Sequence, residues 1–324
     1  VSRLPLAALL ATGVAGPVAA QPVAPFATFN QSPIVQVHGL PAPGAAQVLA
    51  AGRARYALQV DRASNYSPAH RGDEAVLFDG ETTRDVFAYS RGLGNNFELG
   101  IELPYVTHSG GSLDDFIIHW HDTFGLPQGG RVSAPRNQLD YSYVRDGRQL
   151  LALSDSTGGL GDVRLSAAWQ WRRDLALRAQ LKLANGDAQR LLGSGGVDLA
   201  LWASGQLRQK WFGLAGAWYG SAGLLLMGDG EVLAAQQRRA APFGSLGAGL
   251  RLMPRLALKL QLDYHGPLYK DSALKEIAAN AVQLVMGADV YFAPHTRLTL
   301  GVVEDLTVNA SPDVVFHAAL NVSR

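Results

Sequence analysis

The sequence predicts an all-β protein, a transmembrane antiparallel up-and-down β-barrel, on three observations. Segments of about ten residues alternate apolar and polar side chains, and about ten tilted residues carry a strand across a bilayer. The connections between them alternate between short and long. Beyond the first 20 residues, no stretch is apolar and uncharged for the roughly 18 residues that a membrane helix needs. The clearest segment is 175–184, where Leu175, Leu177, Ala179, Leu181 and Leu183 share one parity and Arg178, Gln180 and Lys182 the other. Successive strand side chains point to opposite faces, so one face is continuously apolar and the other carries charge.

The first residues read as an export signal. Arg3 precedes an apolar stretch at 4–14, and Val18-Ala19-Ala20 forms a small-residue cleavage site, so 1–20 is expected to be a signal peptide. Residues 21–52 are then a periplasmic N-terminal segment and 53–324 the barrel. Crossings are expected at 53–62, 82–91, 96–105, 162–172, 175–184, 197–208, 211–222, 243–252, 255–265, 280–291, 297–305 and 313–323. Tight turns join them at 92–95, 172–174, 209–210, 253–254 and 292–296, and long connections at 63–81, 106–136, 185–196, 223–242 and 266–279. Short turns at one rim and long loops at the other are the pattern of outer-membrane barrels. A further hairpin around Asp146-Gly147 has arms of about six residues, short for a crossing. It is expected to stand above the membrane, so twelve strands are preferred, with fourteen as the alternative. Tyr56, Tyr105, Trp169, Trp171, Trp211, Tyr264 and Tyr291 sit near strand ends, where interfacial aromatic girdles are found.

Without Arg3 the chain has 27 basic and 27 acidic residues, which gives nucleic acid no footing as a partner. The absence of cysteine excludes disulfides and thiolate metal sites. The polar parity is expected to line the lumen, with candidates Arg55, Glu98, Glu102, Arg164, Arg178, Lys182, Lys259 and Asp263. Its signs are mixed, where a selective ion pore more often shows rings of one sign. A narrow or largely plugged interior is therefore favoured over an open one.

Residues 104–137 carry the densest local signal, with His108, His119 and His121 inside fourteen residues. Ser112 is placed to cap a helix with Asp115 at the capping-box position. Leu113, Phe116, Ile117, Trp120 and Phe124 then form an apolar stripe, with Asp115, His119 and Asp122 opposite, and Gly125 and Pro127 end the helix. The expected result is a short amphipathic helix over the barrel mouth. His108, Asp115, Phe116, His119, Trp120, Asp122 and Arg131 are its ligand candidates. His119 and His121 lie two apart and point away from each other on a helix, so no metal site is assigned. No third member of a triad accompanies His108-Ser109, so no catalytic residue is assigned and no cofactor is implied.

The stretch 104–137, together with Gly-Leu-Gly-Asp-Val-Arg-Leu-Ser-Ala-Ala-Trp-Gln-Trp ending at Trp171, resembles family 3187 of the domains of unknown function. Further resembling blocks are Ser32-Pro33, His38-Gly39-Leu40-Pro41, Tyr89-Ser90-Arg91, 99–105 and Phe124-Gly125-Leu126-Pro127. The resemblance covers nearly the whole mature chain and implies an uncharacterised bacterial outer-membrane barrel, without substrate or catalytic residues. The reading is a passive channel or binder for a small molecule in the outer membrane, with apolar character suggested by the helix at the mouth. Its partners are membrane lipid, the barrel-assembly machinery and that ligand. The alternatives are a non-transporting structural or interaction barrel with a filled lumen, and an enzyme acting on lipid of the outer leaflet.

Overall fold

The computed structural model describes residues 23–125, 132, 134–307 and 310–324, without the side chains of Trp120, His121 and Phe124; the expected signal segment 1–20 and Arg131 fall outside. The strands are β1 (Ala54–Arg71), β2 (Glu74–Gly94), β3 (Phe97–Ser109), β4 (Asp140–Arg145), β5 (Arg148–Leu153), β6 (Thr157–Leu160), β7 (Arg164–Arg172), β8 (Leu175–Lys182), β9 (Asp198–Trp211), β10 (Leu214–Met227), β11 (Ala240–Met253), β12 (Leu256–His265), β13 (Ala281–Ala293), β14 (Thr296–Asp305) and β15 (Val314–Ser323). Helix α1 spans Asp114–Phe124 and helix α2 Lys275–Ala278. Antiparallel pairing runs β1–β2–β3–β7 and on through β15, which pairs back onto β1 from Arg55↔Ser323 to Ser64↔Val314. Twelve strands thus close a barrel, which leaves no unpaired edge in hydrocarbon.

The short strands are rim structures. β4 pairs with Glu74–Asp79 of β2, β5 pairs with β4, and β6 pairs with Tyr105–His108 of β3. The β4–β5 turn has positive φ at both central residues, Asp146 (51°) and Gly147 (68°), the conformation that Asp-Gly favours in a two-residue hairpin. This hairpin is not a crossing, so the count is twelve.

Residues 63–81, expected to be a long connection, instead continue β1 and β2 as a tall hairpin with register kept to Arg71↔Glu74. β15 leaves β1 at Ser64, so Pro68 stands on a free edge, where a missing N–H costs no ladder bond. Clear of the hydrocarbon, this part of the sheet needs no apolar face, and the alternation that marks a crossing disappears.

Side-chain parity divides the wall as expected. Leu58, Leu99, Leu103, Leu165, Leu201, Leu224, Leu246, Leu258, Leu260, Leu262 and Leu300 each expose 40% or more of their surface outward. A continuous belt of this kind suits lipid and would be a severe liability in water. Tyr291 departs from the expected girdle. It is fully buried and faces inward, with the Arg251 guanidinium 4.1 Å from its ring centroid, while its neighbour Phe292 faces out and is 58% exposed. Asp289, two residues earlier on the same face, sets that parity.

Residues 21–52 were expected in the periplasm. Residues 23–50 instead occupy the lumen, entering at the short-turn end, turning at 33–38 near the long loops and descending to β1. The segment is neutral and rich in proline and small residues. It fits between inward-facing alanines, among them Ala63, Ala168, Ala176, Ala200, Ala217, Ala241, Ala257 and Ala319. At the long-loop end its Phe29, Ile34, Val35, Val37 and Leu40 join one apolar cluster with Val76, Phe78, Tyr141 and Tyr143 of the rim sheet and with Leu191, Val232, Leu233, Leu268, Tyr269, Leu274 and Ile277 of the long loops.

Helix α1 also differs from expectation in position. Phe116 packs edge-on against Phe316 at 5.6 Å, and Phe316 shares the outward parity of β15. The helix therefore leans on the outer wall instead of covering the mouth. Its N-terminus is held by Glu81, whose carboxylate accepts N–H bonds from Ser112 and Leu113, each at 2.5 Å, and pairs with Arg62.

Candidate functional site: a lumen occupied by the N-terminal segment

The ascending limb, 23–31, is read by β9 and β12. Gln206 donates to the Val23 carbonyl (2.7 Å), and Lys259 donates to the Ala24 carbonyl (3.2 Å). Gln261 accepts from the Phe26 N–H (2.9 Å) and donates to the Phe26 carbonyl (3.4 Å). From β1, Gln59 donates to the Ala27 carbonyl (3.1 Å). Thr28 donates to Asp263 (2.7 Å), and Asn30 meets the His265 ring (2.8 Å). The descending limb uses the opposite wall. Arg164 donates to the carbonyls of His38 and Leu40 (both 3.0 Å), and Asp198 accepts from the Gly39 N–H (2.7 Å). Arg178 donates twice to the Ala45 carbonyl. Gln170 donates to the Ala46 carbonyl (2.8 Å) and accepts from the Val48 N–H (2.7 Å). Glu98 accepts from the Leu49 N–H (2.7 Å). Most of these partners in the segment are main-chain groups, which are costly to bury unpaired.

Two phenyl rings of the segment sit against cations. Lys259 Nζ lies 3.9 Å from the Phe26 ring centroid, and Arg84 and Arg164 lie 5.1 and 4.6 Å from that of Phe29. Ion pairs complete the interior, Lys259 with Asp289 (2.9 Å) and Arg55 with Glu98 (2.9 Å), and the His317 ring hydrogen-bonds Asp61 (2.7 Å). Lys182 donates to Asp162 (2.6 Å), Ser194 (2.8 Å) and the Gly196 carbonyl (2.7 Å), with Asp198 3.7 Å away. Glu102 lies on the same inward row of β3, opposite Arg164. The sequence-derived lumen candidates are thus brought together, and the segment itself is their main partner.

At the segment's turn, the His38 ring meets the Tyr269 hydroxyl (2.9 Å), which donates to the Ile34 carbonyl (2.9 Å). Burial pushes the Tyr269 phenol far above its usual range, which keeps it a neutral donor. Tyr141 is held protonated by burial in the same way and bonds Asn65 and Thr82. Two small voids remain beside the segment, of about 20 and 10 Å³, room for a single water each at most and far below the roughly 300–1,000 Å³ of ligand pockets.

The mouth candidates do not converge. His108 is fully buried on the inner face of β3, with one ring nitrogen at Thr82 (2.9 Å) and the other at the Leu191 carbonyl (3.1 Å). Asp115, His119 and Asp122 are exposed on α1, where the His119 ring donates to the Asp115 carbonyl (2.7 Å) and Arg136 lies 3.8 Å from the Asp115 carboxylate. Phe116 lies on the outer wall, and Trp120's side chain and Arg131 are outside the described residues. Among the described residues, no three His, Asp or Glu side chains are placed to hold a metal ion.

Sequence reasoning missed the segment and the glutamines that hold it. One signal was available: residues 21–52 contain no charged side chain and five prolines, unlike a solvated linker.

A closed twelve-strand wall, apolar outside and ionic inside, defines a β-barrel of the outer-membrane type. The chain belongs to the family described as Protein of unknown function (DUF3187), whose model matches residues 9–323. Among solved structures, it is similar to the COG4313 outer membrane channel from Pseudomonas putida F1, at 15% identity and a TM-score of 0.54, covering 87% of this chain and 98% of that one. It also matches the toluene transporter TbuX of Ralstonia pickettii, at 11% identity and a TM-score of 0.38, covering 85% and 88%. No curated protein matches significantly.

Proposed function

We propose that the protein is a bacterial outer-membrane barrel, exported by a signal at 1–20, that acts as a passive channel or binder for a small molecule and is held shut at rest by residues 23–50. The observation that carries this reading is the separability of the closure. A small barrel that is purely structural fills its interior with its own wall side chains. Here the ion pairs and small side chains of the inward wall leave room along the axis, and the filling is a stretch of chain that belongs to no strand. Its surroundings would be membrane lipid outside and, during insertion, the barrel-assembly machinery. Helix α1 sits on the outer wall, so the feature that suggested an apolar ligand does not face the lumen. No reaction is assigned, and both ring nitrogens of His108 are engaged, one with Thr82 of β2 and the other with the long loop at Leu191.

Single-channel recording on the purified full-length chain tests the proposal, with a locked control. A Cβ at Gly249 would lie 3.3 Å from that of Val23, within a few tenths of an ångström of disulfide geometry. The chain has no other cysteine, so V23C/G249C forms a single defined bridge. Openings when reduced and silence when oxidised support a gate. Silence in both states favours the second reading, a non-transporting barrel with a permanently filled lumen, to which the continuous apolar cluster at the long-loop end gives specific support.

A further inference from the structure

Six glutamines face the lumen: Gln59, Gln170, Gln180, Gln206, Gln261 and Gln283, on six different strands. Glutamine is the side chain that copies the peptide group, with a carbonyl acceptor and an N–H₂ donor on one planar unit. Four of the six bond the main chain of the N-terminal segment, and Gln170 and Gln261 each use donor and acceptor together on it. The other two are almost fully buried, and each leaves one amide atom without a hydrogen-bond partner, Gln180 Oε1 and Gln283 Nε2.

Recognition through main-chain groups is indifferent to sequence, because every residue of an extended chain offers the same pair of groups. At Ala24, Ala27, Ala45, Ala46 and Val48 the wall's hydrogen bonds go to carbonyls and N–H groups, not to side chains. We infer that the open lumen is a track for extended polypeptide, and that the small molecule passed or bound is a neutral oligopeptide of small residues. The N-terminal segment is then an internal copy of the substrate that occupies the track at rest. This inference rests on the gating reading above. Charged groups on the wall fit it as well, since Arg164, Arg178 and Glu98 spend their hydrogen bonds on amides of the segment and not only on opposite charges.

The test uses full-length F26A protein, whose segment is loosened, in planar bilayers, with an acetylated and amidated octapeptide of alanine and serine as the probe. A trisaccharide of similar mass offers hydroxyls without amides and serves as the comparison. The expected result is transient, concentration-dependent block by the peptide at concentrations where the sugar does nothing. In the F26A background, Gln206→Leu and Gln170→Leu shorten the blocked dwell about tenfold and also raise the open probability, because the same glutamines hold the segment. Glu substitutions at the same positions keep the size but replace the donor by a carboxylate, and shorten the dwell likewise. Block by sugar equal to that by peptide, or dwell times indifferent to the glutamines, overturns the peptide assignment and leaves the gate intact. A channel that never conducts, in F26A or in reduced V23C/G249C, removes the gate and the peptide track together.

Discussion

Phe26→Ala separates the stability of the wall from the seating of the segment. The ring is fully buried among Ala63, Val285, Val303 and Val315, edge-on to His317 at 6.3 Å and capped by Lys259. Truncating a buried phenylalanine to alanine costs about 3–5 kcal/mol through lost transfer energy and the cavity left behind. All of its contacts here are between segment and wall. The cost therefore falls on the seated state alone, because an unseated segment makes none of them. At 1.4 kcal/mol per tenfold, the open-to-closed ratio rises by roughly a hundred- to a few-thousand-fold. Single-channel open probability measures this directly, with V23C/G249C in the same background returning the channel to silence on oxidation. Heat-modified electrophoretic migration checks that the barrel itself is folded. An F26A barrel that is folded, yet opens no more often than the parent, would falsify the separable-segment reading.

Other perturbations address the wall and the rim. Leu260, half exposed in the middle of the outward row of β12, is expected to cost about 2–4 kcal/mol on replacement by arginine and close to nothing on replacement by phenylalanine, since hydrocarbon has no shape to fill. Unfolding midpoints in detergent or lipid give both numbers, and equal losses would reverse the inside–outside assignment. Lys182→Met leaves Asp162 and Asp198 buried without their cation, which is expected to cost about 3–5 kcal/mol, read as a lowered thermal midpoint; an unchanged midpoint would mean that the cluster is solvated. Glu81→Ala removes the acceptor for two N–H groups at the start of α1 and the partner of Arg62. Limited proteolysis should then cut faster within 110–138 while the barrel resists, and an unaltered digestion pattern would mean that α1 is held mainly by Phe116.

The wall was legible in the sequence because a membrane strand meets two uniform solvents. Leu256, Leu258, Leu260, Leu262 and Tyr264 alternate with Lys259, Gln261 and Asp263, and nothing in the fold disturbs that period. Legibility fails where the uniform solvent ends. Ser64–Arg71 pairs as regularly as the crossing below it, yet its side chains meet water, rim and loops in turn, so no period survives. Tyr291 was assigned outward as a strand-end aromatic, although its parity with Asp289 already placed it inside. The residues of α1 were found from their spacing, but an apolar stripe fits a mouth and an outer wall equally well. Only the contact with Phe316 decides between them. The ligand candidates on that helix followed it to the wrong side.

The N-terminal segment was the hardest to read, and the reason is physical. Its prolines at 25, 33, 41 and 43 lack N–H groups and keep it from joining the sheet as a strand. It therefore pairs little of its main chain with itself, and those groups must find partners elsewhere. The lumen has the complementary difficulty. Twelve strands enclose more space than alanine-rich inner faces fill, and the glutamines and charges there need partners in a place that is short of water. Each resolves the other: the segment satisfies its carbonyls and N–H groups on the wall, and the wall is filled without adding a net charge to balanced ion pairs. The wall's period reveals the barrel and not what fills it, because that information lies in complementarity: a neutral stretch that forms no strand, followed by a barrel whose inner faces are too small for its size.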